Sequence, residues 1–215
     1  DNPVMLGTVQ NQDAYMQSVA SQRPFFFDHV QAITDQAMAE FTALTGRDYK
    51  RVLGYKLEDA EYLIIGQGSV VSSAEVVADY LRETRGIKVG VVNMVMFRPF
   101  PGDLLGPLLA NRKGITVLER EVRATISKCI ENGRAGKESL PYPDYASYDG
   151  LEVVPPLYSS AFGLGSRDLQ PEGIIGAIEN MMDDGAKKKF FYLSVDFIRE
   201  EAYTPKQELY QQEIQ

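Results

Sequence analysis

Cysteine and histidine are nearly missing: Cys129 and His29 are the only ones in 215 residues. One thiol closes no disulfide within the chain, a pattern that fits a reducing, cytoplasmic compartment. One thiolate holds no iron–sulfur cluster, and one histidine beside one cysteine makes no zinc site of the Cys/His type. A Ser-His-Asp hydrolase would have to use His29. That residue stands in "PFFFDHVQA", at the front of an amphipathic helical pattern with no nucleophile elbow nearby, and it reads as a surface or first-turn residue. Positive charge is also scarce: 22 Lys and Arg face 30 Asp and Glu, a net charge of −8. That balance argues against a nucleic-acid surface. The one basic run, Lys187-Lys188-Lys189, precedes an apolar strand pattern and reads as a solvated strand entry. No apolar run reaches membrane length and no signal segment is visible, so neither membrane nor nucleic acid is expected as a partner. The chain opens on Asp1 and closes on the polar "KQELYQQEIQ", and both ends are expected to continue into something longer.

What is present is an ordinary soluble composition, 44% hydrophobic and 24% charged, with length for one sizeable core. Residues 1–27 are polar and aperiodic as far as "RPFFFD". A helix then follows, with Val30, Ile33, Ala37, Phe41 and Leu44 spaced as one buried stripe and Gly46 as its stop. "TGRDYKRVLGYKLEDA" reads as a connector. "EYLIIGQ" is a short continuous apolar run, as a strand buried on both faces should be. Ser72-Ser73-Ala74-Glu75 reads as a capping box, and Val76, Val77, Tyr80 and Leu81 as the apolar face of the next helix, ended by Gly86. "KVGVVNMVMF", "RPFPGDLLGPLLANR" and "GITVLER" continue as strand, helix and strand. This βαβαβ order predicts a parallel sheet with right-handed crossovers. Residues 122–156 break the rhythm: "ISKCIENG" is a candidate helix and the rest a long, tyrosine-rich loop or insertion. "LYSSAFGLG" reads as strand four. "QPEGIIGAIENMM" is a helix with Pro171 first and Ile174, Ile175, Ile178 and Met182 inward, and "KKKFFYLSVDF" is strand five.

"YLIIGQGSVVSSAEVV" raises the question of a phosphate-binding loop. A dinucleotide fingerprint needs a third glycine where Val71 stands, and a ribose-binding carboxylate ending the second strand, where Asn93 to Arg98 supply none. A P-loop needs a lysine after Gly68, and none follows. Gly66 and Gly68 therefore read as an architectural corner, with Ser69, Ser72 or Ser73 as the helix cap. The amides of that helix start leave room for a weak carboxylate or phosphate site.

The ordered set "RPFFFDHV", "LTGRDY", "DAEYLIIGQGSV", "KVGVVNMVMFRPFP" and "ITVLERE", continued by "FGLGSRDLQPEGIIGAIENM" and "FFYLSVDF", resembles domain II of pyruvate:ferredoxin oxidoreductase and its 2-oxoacid relatives, a transketolase C-terminal-like domain. The resemblance covers roughly residues 20–200. It implies a three-layer α/β fold with a mostly parallel five-stranded sheet and an N-terminal helical extension. The expected division is linker and helix from a preceding domain over 1–50, the α/β domain over 51–200 and a polar tail over 201–215. The family oxidatively decarboxylates a 2-oxoacid to acyl-CoA and reduces ferredoxin or flavodoxin, using thiamine diphosphate, Mg2+, [4Fe-4S] clusters and coenzyme A. The thiamine- and cluster-binding motifs of that family are not in these residues. The resemblance therefore implies a non-catalytic structural and interface domain, inactive alone, with no cofactor of its own. Its implied partners are other domains of the same enzyme, a second copy in a homodimer, and ferredoxin or flavodoxin through the full enzyme. The stretch 122–156 departs from the family in length and tyrosine content.

Six residues stand out as candidates for an anion site or an interface: Gly66, Gly68, Ser69, Arg98, Gly165 and Arg167. Arg98 ends a central strand, where open α/β sheets place ligands, with Pro99 and Pro101 fixing the turn. It reads as an anion clamp, as a cross-domain ion pair, or as a local hydrogen-bonded corner, with Glu119 or Glu121 as a partner. Gly163, Gly165, Ser166 and Arg167 form a second glycine turn, and Asp168 or Ser166 is expected to support the helix after it. Tyr142, Tyr145, Tyr148 and Tyr158 are a candidate interface patch. From a different functional class, an independent module binding a small anion or a CoA-type ligand at the strand ends is the alternative.

Overall fold

The computed structural model describes residues 9–118, 126, 127, 130, 155–182 and 187–194. Two compact units divide the chain, Asp1–Arg51 and Val52–Gln215. Glu119, Glu121, Tyr142, Tyr145 and Tyr148 lie outside the described residues, as does the tail over 201–215.

The first unit is helical. Helix α1 (Gln12–Gln22) starts where the Asn11 side chain accepts a hydrogen bond from Ala14 N at 2.9 Å. The chain then widens into a π turn over Arg23–Phe27 and continues as α2 (Asp28–Thr45). Pro24 sits in the wide turn, where its missing N–H and bulky ring disturb the ladder least. The helical run thus begins at Gln12, ahead of the sequence expectation. Gly46 ends it at φ 71, its N–H donating to Thr42 O at 2.8 Å. The chain folds back along α2: the Phe41 and Tyr49 rings are 4.8 Å apart, Tyr49 N donates to Thr42 Oγ1, and Arg51 pairs with Asp35 at 2.7 Å. The expectation of a buried stripe on α2 is overturned. No residue of α1, the π turn or α2 is buried, and Ile33, Phe41 and Leu44 are 64, 47 and 82% exposed.

The second unit is a six-stranded sheet between two helical layers. Its strands are β1 (Val52–Tyr55), β2 (Tyr62–Gly66), β3 (Val89–Met94), β4 (Gly114–Val117), β5 (Leu157–Ala161) and β6 (Phe190–Tyr192), in the order β1-β3-β2-β4-β5-β6. The last five in that order run parallel, and β1 adds an antiparallel edge on β3, Val52 opposite Met94 and Tyr55 opposite Val91. The α/β class and the mostly parallel sheet agree with the sequence reading; β1 is the added strand. The central strands are apolar throughout because both faces are covered. Leu63, Ile65, Val92 and Ile115 face the layer of α4 (Gly102–Leu109), joined by Ile126 and Ile130. Ile64, Val89, Val91 and Tyr158 face α3 (Val70–Arg85) and α5 (Pro171–Met182).

Two helix details differ from expectation. Helix α3 begins at Val70, so Ser72 and Ser73 lie inside its first turns and form no capping box. Gly68 at φ 69 turns the chain straight into the helix, with Val71 N donating to Gly68 O at 3.2 Å. The buried face of α3 is Val70, Val71, Ala74, Val77, Ala78 and Leu81, while Val76 and Tyr80 point outward at 67 and 47% exposure. The earlier start carries the stripe through the small residues Ala74 and Ala78, which let α3 lie close to the sheet. On α5, Ile174, Ala177, Ile178 and Met181 are buried, and Ile175 and Met182 flank them. The lysine run is local, as expected of a strand entry. Lys187 Nζ donates to Met181 O at the end of α5, Lys188 N donates to Asn180 Oδ1, and Lys189 Nζ lies 4.8 Å from the Tyr158 ring centroid.

A candidate ligand cleft at the strand ends

With β1 set aside, the parallel strands read β3-β2-β4-β5-β6, and chain order reverses between β2 and β4. In open α/β sheets, crevices form at the carboxyl ends of strands beside such a reversal. Here a cleft of about 570 Å3 is lined by Ser69, Val70 and Ser73 on one side and by Phe162, Gly163, Ser166, Arg167, Asp168 and Leu169 on the other. The first wall follows β2 and the second follows β5, with β4 between those strands.

The first wall is built by the glycine corner. Gly66 is buried, and a Cβ there would sit 3.1 Å from Val70 Cγ1, so the helix start packs directly on the strand end. Gln67 Nε2 donates to Met94 O at 3.4 Å, tying the corner to the end of β3. Ser69 is the N-cap residue of α3, yet its hydroxyl makes no capping hydrogen bond. The second wall is a short 3-10 turn, Leu164–Ser166. Gly163, Gly165 and Ser166 all take positive φ, at 75, 62 and 62°. Ser166 N donates to Gly163 O and Arg167 N to Leu164 O. Pro171 is the first residue of α5, as its sequence position implies.

The structure therefore brings Ser69 and Arg167 to the two sides of one cleft, although nearly a hundred positions separate them in the chain. Gly66, Gly68 and Gly165 shape its walls without lining it. Arg98 lies elsewhere. It is exposed, its Nη1 donates to Phe97 O at 3.2 Å, and its guanidinium carbon stands 3.9 Å from the Phe97 ring centroid. The Arg98–Pro99 peptide is cis, and Phe97 packs edge-on against Phe100 at 6.4 Å. The contributions of Ser73, Phe162 and Asp168 had no signal in the linear pattern, because each becomes notable only when the two corners meet.

Two perturbed carboxyls lie near the β1 edge. The Lys56 ammonium, followed by the Tyr55 hydroxyl, holds the Asp79 carboxyl below its usual range, and the Arg82 guanidinium does the same for Asp59. Among the described residues no three His, Cys, Asp or Glu side chains come together as a metal site. With one cysteine in the chain, a cluster-binding thiolate set does not fit here either. No helix among the described residues is long and apolar enough to cross a membrane.

Residues 60–142 match the family description "Pyruvate:ferredoxin oxidoreductase core domain II". Pyruvate synthase subunit PorA of Thermotoga maritima is 34% identical over 85% of this chain and 44% of that protein. Pyruvate synthase subunit PorA of Methanothermobacter thermautotrophicus is 28% identical over 84% of this chain and 44% of that protein. The probable pyruvate-flavodoxin oxidoreductase of Escherichia coli is 29% identical over 88% of this chain and 16% of that protein. The chain spans less than half the length of these relatives. Residues 60–142 thus match core domain II of pyruvate:ferredoxin oxidoreductase, and the chain is homologous to pyruvate synthase subunit PorA.

Proposed function

We propose that this chain serves as a structural and interface domain within a 2-oxoacid:ferredoxin oxidoreductase, holding neighbouring domains in register for chemistry carried by them. In this reading the thiamine diphosphate, Mg2+, iron–sulfur clusters and coenzyme A of the full enzyme are bound by other polypeptide, and pyruvate is the substrate. The carrying observation is the set of exposed large apolar residues in the helical unit. Phe25, Phe26 and Phe27 in the π turn are 71, 69 and 42% exposed, and Tyr15, Met16 and Val19 on α1 are exposed as well. Consecutive aromatic residues left in water favour a protein interface, since burying each contributes about 1.5–3 kcal/mol. Arg98, exposed at a carboxyl-end corner, is a second contact for the same assembly. The companion is another domain or subunit of the same enzyme, as the PorA homology implies.

The test is a triple variant, Phe25→Ser, Phe26→Ser and Phe27→Ser, co-expressed with the other subunits or domains of the enzyme. The expected result is loss of co-purification and of 2-oxoacid-dependent acceptor reduction, with the chain's own far-ultraviolet circular dichroism unchanged. Wild-type assembly and turnover by the triple variant would overturn the reading.

A further inference from the structure

We propose that the cleft between the β2–α3 corner and the β5–α5 connector is a binding site for a small, hydroxyl-bearing phosphate ester. This inference goes beyond the framework function and does not rest on it. The cleft lies at the carboxyl ends of parallel strands beside the reversal of strand order, where this class of sheet forms its crevices. At about 570 Å3 it has the size of a small-molecule site. Its lining sorts by chemistry. Ser69, Ser73 and Ser166 supply hydroxyl donors, Arg167 supplies a planar cation, and Phe162, Val70 and Leu169 supply an apolar floor. In a chain of net charge −8, Arg167 is the only Lys or Arg in that lining. A guanidinium among hydroxyls suits the oxygens of a phosphate.

Two further observations concern the same side of the sheet. Ser160 is fully buried, and its Oγ has no hydrogen-bond partner among the described residues. Side chains along a strand alternate between faces, so Tyr158, Ser160 and Phe162 share the face of the sheet that carries α3, and Phe162 is itself part of the cleft wall. Ser160 does not itself line the cleft, but it leaves a buried hydroxyl unsatisfied on the cleft's side of the sheet. The second observation is Asp168. A carboxylate beside Arg167 disfavours a bare anion and accepts hydrogen bonds from hydroxyls, so it selects a ligand that carries both an oxyanion and hydroxyl groups. The positive end of the 16-residue helix α3, which starts in this wall, adds to the attraction for the phosphate.

The experiment uses the full chain, isotopically labelled for amide NMR, with ribose 5-phosphate and inorganic phosphate as the two probes. Ribose 5-phosphate is expected to bind saturably, shifting the amides of Ser69, Ser73, Ser166 and Arg167, and to bind more tightly than inorganic phosphate. Arg167→Met is expected to weaken the ester about tenfold or more, the size of one hydrogen bond to a charged group. Asp168→Asn is expected to remove the preference for the ester over phosphate. Ser69→Ala with Ser73→Ala gives a second measurement should Arg167→Met fold poorly, and is expected to weaken both probes. Absence of saturable binding overturns the proposal. So does phosphate binding as tight as the ester, affinity unchanged in folded Arg167→Met or in the double serine variant, or shifts confined to another surface. The phenylalanine triple variant keeps ester binding, so failure of the interface reading and failure of this one are separate results.

Discussion

A Cβ built on Gly90 would lie 2.9 Å from Ala60 Cβ and from Leu57 Cδ2, and 3.1 Å from Leu63 Cδ2. The tip of Leu57 can swing aside. Ala60 Cβ has no such freedom, because it is fixed to a backbone tied down on both sides. Ala60 O accepts from the Arg112 guanidinium, and Glu61 N donates to Lys88 O at 2.8 Å. The glycine in the middle of the β3 apolar run is therefore a packing requirement, with no demand from its φ. Gly90→Ala is expected to cost about 1–3 kcal/mol in urea unfolding, the range for an overpacked core, and Gly90→Val more. Stability unchanged in both would mean that the segment before β2 does not press on β3 as described. The same scale separates the candidate site residues. Gly66 is fixed by its closeness to Val70 and Gly68 by its positive φ, whereas the Ser69 hydroxyl makes no capping hydrogen bond.

At the scale of elements, one acidic residue joins an edge strand to a helix. Asp79 on α3 accepts from the Tyr55 hydroxyl at 2.9 and 3.0 Å and from Lys56 Nζ at 2.5 Å, and Arg82 donates to Lys56 O and to Val89 O. Lys56, chiefly, lowers the Asp79 pKa, so this carboxylate stabilises the fold above about pH 4, and the contribution is lost as pH falls through its lowered folded value. The Asp79 hydrogen bonds raise the pKa values of Tyr55 and Lys56, so their contribution is complete below about pH 10 and is lost as pH rises through the raised values. Asp79→Asn is expected to lower the melting temperature modestly on a plateau between these limits. The deficit should vanish in acid, narrow in strong alkali and shrink in high salt, because the groups are exposed. A deficit independent of pH and salt would assign Asp79 a packing role instead. The cluster also shows why β1 was illegible. "RVLGYK" has four strand residues, one of them glycine, half-exposed on a sheet edge, and its place is fixed by cross-chain bonds that linear pattern does not display. By contrast β2, β3 and β4 were legible because burial on both faces writes an unbroken apolar run. Helix α1 has no buried face, and its few large apolar residues, Tyr15, Met16 and Val19, are too short a run for periodicity to mark it. The cleft was half legible. Each corner announced itself by its glycines, but their meeting across β4 depends on strand order, which no local pattern encodes.

At the scale of the whole molecule, the sheet unit covers both faces of its strands while Phe25, Phe26 and Phe27 of the helical unit are exposed, and the oxidative decarboxylation proposed for the full enzyme needs more than the described residues show. Decarboxylating a 2-oxoacid requires an electron sink for the developing carbanion, and passing electrons on requires a redox centre. The described residues contain no metal-binding cluster, and the single cysteine cannot ligate an iron–sulfur centre alone. If the chain acts as a framework, its effect on rate comes through placement. Misplacing reacting groups by about 1 Å costs on the order of 100-fold. The isolated chain is therefore expected to release no carbon dioxide from labelled pyruvate and to reduce no ferredoxin, even with thiamine diphosphate, Mg2+ and coenzyme A present. Adding it to the remaining parts of the enzyme, prepared without it, is expected to raise turnover from near background to that of the complete enzyme, with the phenylalanine triple variant failing to do so. The pattern of failure is informative. Turnover by the isolated chain would assign it catalytic groups of its own. Full activity of the remaining parts without it would remove the framework role. Rescue by the triple variant would move the docking surface away from the π turn, to a face such as the Arg98 corner.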